Sequence, residues 1–213
     1  MEKEGKRVGS SYLNIEQLLQ LYSENDKISL LIRHADRFDI PAGGEDKGIL
    51  LTDKGITNAI QFGKKLSNYQ INKIITTPME RCIQTAEYIA IGYGKEIKIE
   101  PSKTFGGLHI KDWQLAGEWL NKNGYEEWYR NITNDISTLG IHDAIQYKEL
   151  MTNFLVENTK ALDYTIFISH DFLIAFYQYA VNKTTYTMFS DWVNYLSGLI
   201  LRNGYFVDRF KND

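Results

Sequence analysis

Residues 28–37 read Ile28-Ser29-Leu30-Leu31-Ile32-Arg33-His34-Ala35-Asp36-Arg37, and the rest of the chain is organised around them. Its first half is mostly apolar and favours β-structure, and it stops abruptly at charged side chains. This pattern is typical of a buried strand that delivers polar groups at its carboxyl end, where open α/β sheets bind ligands. Two arginines beside an imidazole disfavour its protonation and attract an anion such as phosphate or carboxylate. A strand ending in a solvated, charged turn would explain the same residues, so this stretch alone leaves both interpretations open.

The composition of the whole chain narrows the class of protein. Its 213 residues suit one α/β domain with a sizeable core, and we expect a single domain over residues 1–213. With 43% hydrophobic and 24% charged residues, the chain resembles neither a disordered nor a collagen-like nor a coiled-coil protein. The net charge of −3 provides no overall attraction to nucleic acid or to an anionic membrane. We therefore expect neither as a partner, and any anion site must be local.

Cysteine content and hydropathy indicate the compartment. The single cysteine, Cys82, excludes an intramolecular disulfide and a zinc site built on a cysteine cluster. Residues 1–7 are rich in charge, and no apolar stretch reaches the roughly 18 to 20 residues of a membrane span. We expect a cytoplasmic protein without a membrane-spanning segment.

Two segments flank the first predicted strand. Residues 11–23 place apolar side chains at helical spacing, which predicts an amphipathic helix at the edge of the sheet. Residues 38–50 are irregular, with Pro41, a glycine pair and the charged run Glu45-Asp46-Lys47. We expect a loop of this length beside a candidate site to shape substrate access.

A second strand is predicted over residues 71–76, and an unusual arginine follows it. Thr77-Pro78-Met79-Glu80 has the pattern of a capping box with proline at the first helical position. Arg81 would then lie in the first helical turn, where a cation opposes the helix dipole. A local rule broken at the end of a strand suggests function. The competing interpretation is a surface arginine that pairs with Glu80.

A third strand, predicted over residues 164–168, repeats the pattern of the first. Ser169-His170-Asp171 follows it, with Ser169 as the predicted N-cap of the next helix and Asp171 in its first turn. An aspartate there suits the helix dipole, so a purely structural role also fits.

The three strand ends share one kind of chemistry. They carry six candidate site residues: Arg33, His34, Arg37, Arg81, His170 and Asp171. If the strands are neighbours in a parallel sheet, these side chains converge at one end of it, where helix N-termini add positive potential. Residues 196–210 read as two strands joined by Arg202-Asn203-Gly204, an antiparallel hairpin at the sheet edge. Two imidazoles, cations and a carboxylate fit phosphoryl transfer through a histidine nucleophile.

These motifs make the sequence similar to the histidine phosphatase superfamily, which includes cofactor-dependent phosphoglycerate mutases and histidine acid phosphatases. The family's arginine-histidine-glycine motif is matched by Arg33-His34-Ala35, with alanine in the third place. Further matches are Leu51-Thr52-Asp53-Lys54-Gly55, the arginine-bearing stretch of residues 77–86, and His170. The resemblance covers residues 28 to about 180. It implies a three-layer α/β/α sandwich with a mostly parallel sheet and an antiparallel edge strand.

The resemblance also implies roles for individual residues. His34 is expected to be phosphorylated, Arg33 and Arg81 to bind the phosphoryl group, and His170 to hydrogen-bond it. In the small, mutase-like branch the proton donor is usually a glutamate after the strand that corresponds here to residues 97–100, and the following residues 102–109 contain no glutamate. The chain instead has the histidine-aspartate pair of the acid phosphatase branch in His170-Asp171.

The proton donor and a third phosphate ligand are therefore assigned from the acid phosphatase pattern. We hypothesise that Asp171 is the general acid and that Arg37, matching that branch's arginine-histidine-glycine-x-arginine, is a third phosphate ligand. The rival donors are Glu100, Asp112 and His109. No metal and no cofactor are implied.

Residues 101–142 form the least regular region of the sequence. Aromatic residues are mixed there with cations, among them Trp113, Trp119, Tyr125, Trp128 and Tyr129. The mixture suits a helical lid or insert that forms a substrate wall over the site. More often such residues are the core of a helical subdomain, which we favour for most of them.

The sequence favours a phosphomonoester hydrolase acting on a small phosphorylated substrate, with three alternatives. A metal-dependent phosphohydrolase would use His34, Asp36, His170 and Asp171 as ligands, although the arginines disfavour a bound cation. A non-catalytic module that binds a phosphorylated ligand is kept open by Ala35 and the missing glutamate. A phosphomutase is less favoured because no enclosing segment is evident.

Overall fold

The computed structural model describes residues 14–20, 26–41, 46, 48–161, 163–186 and 192–212. The strands are β1 (Ile28–Arg33), β2 (Ile71–Thr76), β3 (Lys98–Pro101), β4 (Tyr164–Ser169), β5 (Gly198–Arg202) and β6 (Tyr205–Phe210). The helices are α1 (Ile15–Leu19), α2 (Asp53–Lys65), α3 (Glu80–Tyr93), α4 (Lys103–Gly107), α5 (Trp113–Thr133), α6 (Ala144–Asn158) and α7 (Asp171–Asn182).

The described strands form one sheet in the order β3-β2-β4-β1-β5-β6. The pairs β3–β2, β2–β4 and β4–β1 are parallel, whereas β5 runs antiparallel to both β1 and β6. Strand β4 lies between β2 and β1, so the three strands that end in candidate site residues are direct neighbours. The predicted α/β class, mostly parallel with an antiparallel edge region, is confirmed.

Helices cover both faces of the sheet because residues along each strand alternate between two cores. In β1, Leu30 and Ile32 belong to the core beneath α2 and α3, whereas Leu31 belongs to the core beneath α5, α6 and α7. In β4, Ile166 and Ile168 face the first core, and Phe167 faces the second. The result is the three-layer α/β/α sandwich expected from the sequence.

The Leu-Thr-x-x-Gly element fastens α2 to the segment that follows β1. Thr52 is the N-cap of α2, and its hydroxyl accepts a hydrogen bond from the Gly55 amide at 3.0 Å. A Cβ built on Gly55 would lie 2.0 Å from the Asp36 carbonyl oxygen, so only glycine permits this approach. The Thr52 amide donates to that same carbonyl at 3.1 Å. These contacts hold the backbone immediately beyond His34.

Several predicted details need correction or fall outside the described residues. The predicted helix of residues 11–23 is seen as α1, while residues 11–13 and 21–23 lie outside the described part. The N-cap of α7 is His170 rather than the predicted Ser169, because β4 continues through Ser169. The hairpin prediction is confirmed, with Asn203 and Gly204 at φ of 53° and 81° between β5 and β6.

The described helices were also compared with the length and hydropathy of a membrane-spanning helix. None of the helices in the described ranges combines the length and the apolar character needed to cross a bilayer.

Candidate active site

The carboxyl ends of β1, β2 and β4 open into a cleft with a volume of about 790 Å³. All six site residues predicted from the sequence line it: Arg33, His34, Arg37, Arg81, His170 and Asp171. We call the part formed by Arg33, His34, Arg81 and His170 the cationic end. The imidazole rings of His34 and His170 are 5.4 Å apart there.

The geometry around His34 defines its tautomer. Its Nδ1 lies 2.8 Å from the carbonyl oxygen of Ala35, and its Nε2 lies 3.2 Å from Nε of Arg81. A guanidinium only donates hydrogen bonds, so Nε2 of His34 holds a lone pair and Nδ1 carries the proton. The lone pair of the ring is therefore on Nε2, where it accepts the hydrogen bond from Arg81.

The His34 ring is kept neutral by its surroundings. Burial is the main reason that its pKa lies well below the usual value, and the nearby His170, Arg81 and Arg33 lower it further. The hydrogen bond to the Ala35 carbonyl acts in the opposite direction. An unprotonated imidazole at neutral pH is the state that a nucleophile requires.

Arg81 connects the two histidines. Its side chain is buried, with the residue only 4% exposed, and its NH2 nitrogen donates to Nδ1 of His170 at 3.0 Å. The remaining donors contact Asp46, whose carbonyl oxygen lies 3.0 Å from NH1 and whose Oδ2 lies 2.8 Å from NH2. The alternative of a surface arginine is wrong because the helix start lies against the sheet end.

Thr77 is a site residue that the sequence assigned to a capping box. Helix α3 begins at Glu80 with Met79 as its N-cap, and no side chain caps it. The Thr77 hydroxyl instead lies 3.0 Å from Nε2 of His170. Since Nδ1 of His170 accepts from Arg81, Nε2 donates to Thr77. Burial, followed by the charge of Arg81, lowers the pKa of His170 well below its usual value.

Asp171 is the first residue of α7 and pairs with Arg33. Its Oδ2 accepts from NH2 of Arg33 at 2.9 Å and from the indole Nε1 of Trp192 at 3.0 Å. Its Oδ1 accepts from the Phe172 amide at 2.9 Å. Both oxygens are therefore engaged, and the carboxylate holds Arg33 in position.

The segment before β5 completes the support of Arg33. The carbonyl oxygen of Val193 accepts from NH1 of Arg33 at 2.8 Å. The Tyr195 ring lies against the guanidinium, with the Arg33 Cζ 4.1 Å from its centroid, and 5.7 Å from the ring of His34. Sequence reasoning missed Trp192 and Tyr195, because nothing local marks a distant segment that folds back onto a strand end.

Arg37 lines the cleft but is less tightly held than Arg33. Its NH1 donates to the carbonyl of its neighbour Phe38 at 2.7 Å, and its backbone forms a bridge with Leu51. Its Nε is buried without a hydrogen-bond partner. The Nε atom of Arg33 is in the same state, so each of these two guanidinium groups has one buried donor without a hydrogen-bond partner.

Asp46 is the second carboxylate of the cleft, and the sequence did not single it out. Its Oδ2 contacts Arg81, while its Oδ1 is buried without a hydrogen-bond partner. The acidic loop beside the first strand was the available signal. Residues 42–45 and 47 of that loop, including Glu45 and Lys47, lie outside the described residues.

The rival proton donors differ in position. Glu100 pairs with Lys98 and Lys73 on the sheet, contacts that lower its pKa, and it does not line the cleft. Asp112 is the N-cap of α5, with its carboxylate accepting from the Leu115 amide. His109 does line the cleft, and burial lowers its pKa to about 3.

Two remaining groups bear on other chemistries. The Cys82 thiol is buried beside His170, and burial raises its pKa to about 12, which suits packing rather than nucleophilic attack. Among the residues that the structure describes, no three histidine, cysteine or acidic side chains are grouped as metal ligands. The metal-dependent alternative therefore has no group of metal ligands among the described residues.

The far side of the cleft is built by helices α4, α5 and α7. Trp113 and Tyr125 of α5 line it and are 70% and 45% exposed, whereas Trp128 and Tyr129 are buried in the core. The aromatic stretch thus divides between a cleft wall and the helical core.

The fold and site define a class of protein: an α/β sandwich with two neutral imidazoles and buried arginines at the ends of adjacent parallel strands. The family model described as "Histidine phosphatase superfamily (branch 1)" matches residues 29–182. The chain belongs to this superfamily. The match is to branch 1, so Arg37 and Asp171 are features of a branch 1 chain that resemble the acid phosphatase pattern.

Solved structures agree with this fold. Bacillus stearothermophilus YhfR aligns with a TM-score of 0.61 at 17% identity, covering 87% of this chain and 96% of that one. Phosphoglycerate mutase from Bacillus anthracis str. Sterne aligns with a TM-score of 0.57 at 15% identity, covering 89% and 95%. Mycobacterial glucosyl-3-phosphoglycerate phosphatase aligns with a TM-score of 0.54 at 18% identity, covering 83% and 90%. Among curated protein sequences, none matches this chain.

Proposed function

We propose that the protein is a phosphomonoester hydrolase that acts through a phosphohistidine on His34. The observation that carries this proposal is the position of Arg81, which donates to Nε2 of His34 and to Nδ1 of His170. A phosphoryl group bound to this guanidinium would lie beside the lone pair of His34. Buried cationic donors around a transferred phosphoryl group are the main source of rate enhancement in such reactions.

In the first step, Nε2 of His34 attacks phosphorus as the bond between phosphorus and the ester oxygen breaks. Positive charge develops on the ring, and the Ala35 carbonyl that accepts from Nδ1 stabilises it. Arg33, Arg37, Arg81 and His170 bind the phosphoryl oxygens in this proposal. The departing alkoxide takes a proton from a carboxylic acid and leaves as the alcohol.

We propose Asp171 as this acid, on the resemblance of His170-Asp171 to the acid phosphatase pattern. Asp46 is its rival within the cleft, since Oδ1 of Asp46 is free of hydrogen bonds while both oxygens of Asp171 are engaged. In either case the acid becomes a carboxylate in the first step. It then accepts a proton from the water that cleaves the phosphohistidine, and inorganic phosphate is released.

Hydrolysis fits the cleft better than phosphoryl transfer between substrates. A mutase must keep its phosphohistidine away from water. Here the wall residues Trp113 and Tyr125 remain substantially exposed at the edge of the cleft. We further infer that the helices of residues 101–142 act as an insert over the site, that the partner is a small phosphorylated molecule, and that the free thiol of Cys82 suits the reducing cytoplasm.

Trapping the intermediate tests the proposal. The protein is incubated with ³²P-labelled phenyl phosphate, quenched in alkali, and the labelled peptide is identified by mass spectrometry. An acid-labile, alkali-stable label on His34, with release of phosphate, is the expected result. Binding of inorganic phosphate without label or turnover would instead favour the non-catalytic module.

A further inference from the structure

The part of the cleft beyond the cationic end differs from it in chemical character. We call it the apolar wall, and its main side chains are Ile40, Met79, Ile110, Trp113, Leu120, Tyr125, Phe172 and Leu173. Trp113, Tyr125 and Ile40 are large hydrophobic residues that stay exposed along this part of the cleft. Exposed apolar residues gathered along a cleft, rather than scattered, mark a binding surface.

The cleft is too large for a phosphoryl group alone. Its volume of about 790 Å³ falls within the roughly 300–1,000 Å³ of sites that enclose a drug-sized molecule. A phosphate bound at the cationic end would leave most of this space for the alcohol portion of the ester. That portion would lie along the apolar wall.

The wall provides few partners for polar groups. Beyond the cationic end and its neighbours Arg37, Asp46, Thr77 and Asp171, few described lining residues have charged or hydrogen-bonding side chains: Lys103, His109, Trp113 through its indole N–H, Asn121 and Tyr125. His109 is neutral because burial lowers its pKa to about 3. A sugar or nucleoside carries many hydroxyls or ring nitrogens, and each one buried without a partner weakens binding.

The aromatic residues of the wall are held in place by the core. The Tyr125 ring lies 5.5 Å from that of Phe172 and 5.7 Å from that of the buried Trp128. Phe172 directly follows Asp171, so the aromatic surface begins next to the cationic end. An aromatic ring joined to the phosphoryl group through the ester oxygen would lie next to this surface.

We propose that the substrates are phosphomonoesters of bulky, mostly apolar alcohols, aromatic or alicyclic, with one phosphoryl group and few other polar groups. This inference rests on the proposed hydrolase function and adds the substrate class. Lys103 is the sole cation beyond Arg37 among the described lining residues, so a second phosphate has little to bind.

Gly117 offers a way to fill the cleft without disturbing the fold. It lies on α5 and lines the cleft, and a Cβ built on it meets no atom within 4 Å. The substitution Gly117→Leu therefore places a side chain into open space, and leucine also favours the helix. Its matched control is Glu118→Leu, the next residue on the same helix, which is exposed and does not line the cleft.

The test compares kcat/KM for 4-biphenylyl phosphate and phenyl phosphate, whose leaving groups have similar acidity. We expect the biphenylyl ester to be preferred by about tenfold, because its second ring adds apolar contact area. Glucose 6-phosphate and adenosine monophosphate should be poorer substrates than either ester. Gly117→Leu should abolish the biphenylyl preference while phenyl phosphate is still hydrolysed, and Glu118→Leu should keep it.

A second pair of variants and a binding measurement separate the possible failures. Leu120→Ser on the wall should reduce the preference, and Leu115→Ser, 37% exposed on the same helix but outside the cleft, should not. Calorimetry with 4-biphenylylmethylphosphonate against methylphosphonate measures the wall without turnover. Equal kcat/KM for both esters together with equal affinity for both phosphonates would contradict the proposed substrate class, and so would a higher kcat/KM for the sugar phosphate or the nucleotide. Neither result would contradict the proposed hydrolase function. Selective phosphonate binding without hydrolysis or phosphohistidine would overturn the hydrolase and leave the apolar wall standing.

Discussion

The two ends of the cleft are built by different means. At the cationic end, Arg33, His34, Arg81 and His170 lie at strand ends or in first helical turns and are largely buried. Arg81 is hydrogen-bonded to both histidines, and Arg33 is paired with Asp171. At the apolar wall, Trp113 and Tyr125 project from helix α5 and are partly exposed, and Tyr125 is held by ring contacts with Phe172 and Trp128. A sheet fixes the first region, and helix packing above the sheet fixes the second.

This contrast indicates how chemistry and selectivity are divided in the molecule. The cationic end lies on three hydrogen-bonded neighbouring strands, so small changes there alter the distances between reacting groups. Replacing one apolar side chain of the wall with another should leave the distances between the groups of the cationic end unchanged. Substitutions at the cationic end should therefore change turnover on every substrate, whereas those at the wall should change the ranking of substrates.

The largest effect should come from the nucleophile. Replacing His34 with alanine removes the only described imidazole whose Nε2 accepts from Arg81, and kcat should fall by at least about 10⁴-fold. Steady-state rates with 4-nitrophenyl phosphate measure this. The control is His142→Ala, since His142 contacts Gln146 outside the cleft and should be dispensable. Similar losses in both variants would argue against a special role for His34.

Arg81→Lys should have the next largest effect. Lysine supplies one point charge and cannot contact His34 and His170 together, so we expect kcat/KM to fall by about 10²- to 10³-fold. Inhibition by inorganic phosphate should weaken in the same variant. Arg130→Lys is the matched control, because Arg130 pairs with Glu126 and Glu127 on the exposed side of α5. If Arg81→Lys keeps its rate, the bridging geometry is not needed.

The roles of Asp171 and Asp46, the two carboxylates beside the cationic end, can be distinguished with substrates whose leaving groups differ in acidity. When the true proton donor is replaced, kcat/KM for an alkyl phosphate should fall by about 10²-fold. The value for 4-nitrophenyl phosphate should change little, because its leaving group needs no proton. We expect this pattern for Asp171→Asn, with Asp46→Asn measured in parallel. If Asp171 only holds Arg33, its variant will lose activity on both substrates equally. The selective pattern in Asp46→Asn alone would transfer the role to Asp46.

The smallest predicted effect concerns stability and the buried His109 behind the wall. Its pKa is about 3 in the folded protein against about 6.5 for an exposed histidine, so between these pH values the unfolded chain binds a proton that the folded chain does not. Stability is therefore lost as pH falls below about 6.5, and from His109 alone we expect a loss of about 2 kcal/mol between pH 7 and pH 5.

Urea unfolding of the wild type and of His109→Gln at both pH values checks this expectation. The glutamine variant should be less sensitive to the change in pH, because its side chain does not titrate. Parallel pH dependences for the two proteins would show that His109 does not contribute.

Local patterns in the sequence were sufficient to predict the strands and the side chains that line the cleft at their carboxyl ends. Buried strands appear as apolar runs, and the residues that follow them are placed by the sheet itself, as with Arg33 and His170. The same local rules were wrong for Thr77, which has the pattern of a helix cap but contacts His170 instead. Helix α3 starts later than the pattern predicts, and this delay frees the Thr77 hydroxyl for the site.

The aromatic stretch shows the limit of periodicity. The sequence favoured a helical core for most of its aromatic residues, which holds for Trp128 and Tyr129 but not for Trp113 and Tyr125. Helix α5 contains a break at Gly124, where φ is 78°, and the helical phase changes across it. Which residues face the cleft therefore depends on the packing of both halves against α7.

The class of fold, the order of the strands along the chain and the side chains at their ends can be inferred from the sequence, because strand pattern and motif are local properties. The distant groups that complete the candidate site are seen only in the folded chain. Asp46 lies against Arg81, Trp192 and Tyr195 support Arg33 and Asp171, and α5 supplies the wall. These contacts join residues far apart in the chain, and they form through burial and hydrogen bonding that no single stretch encodes.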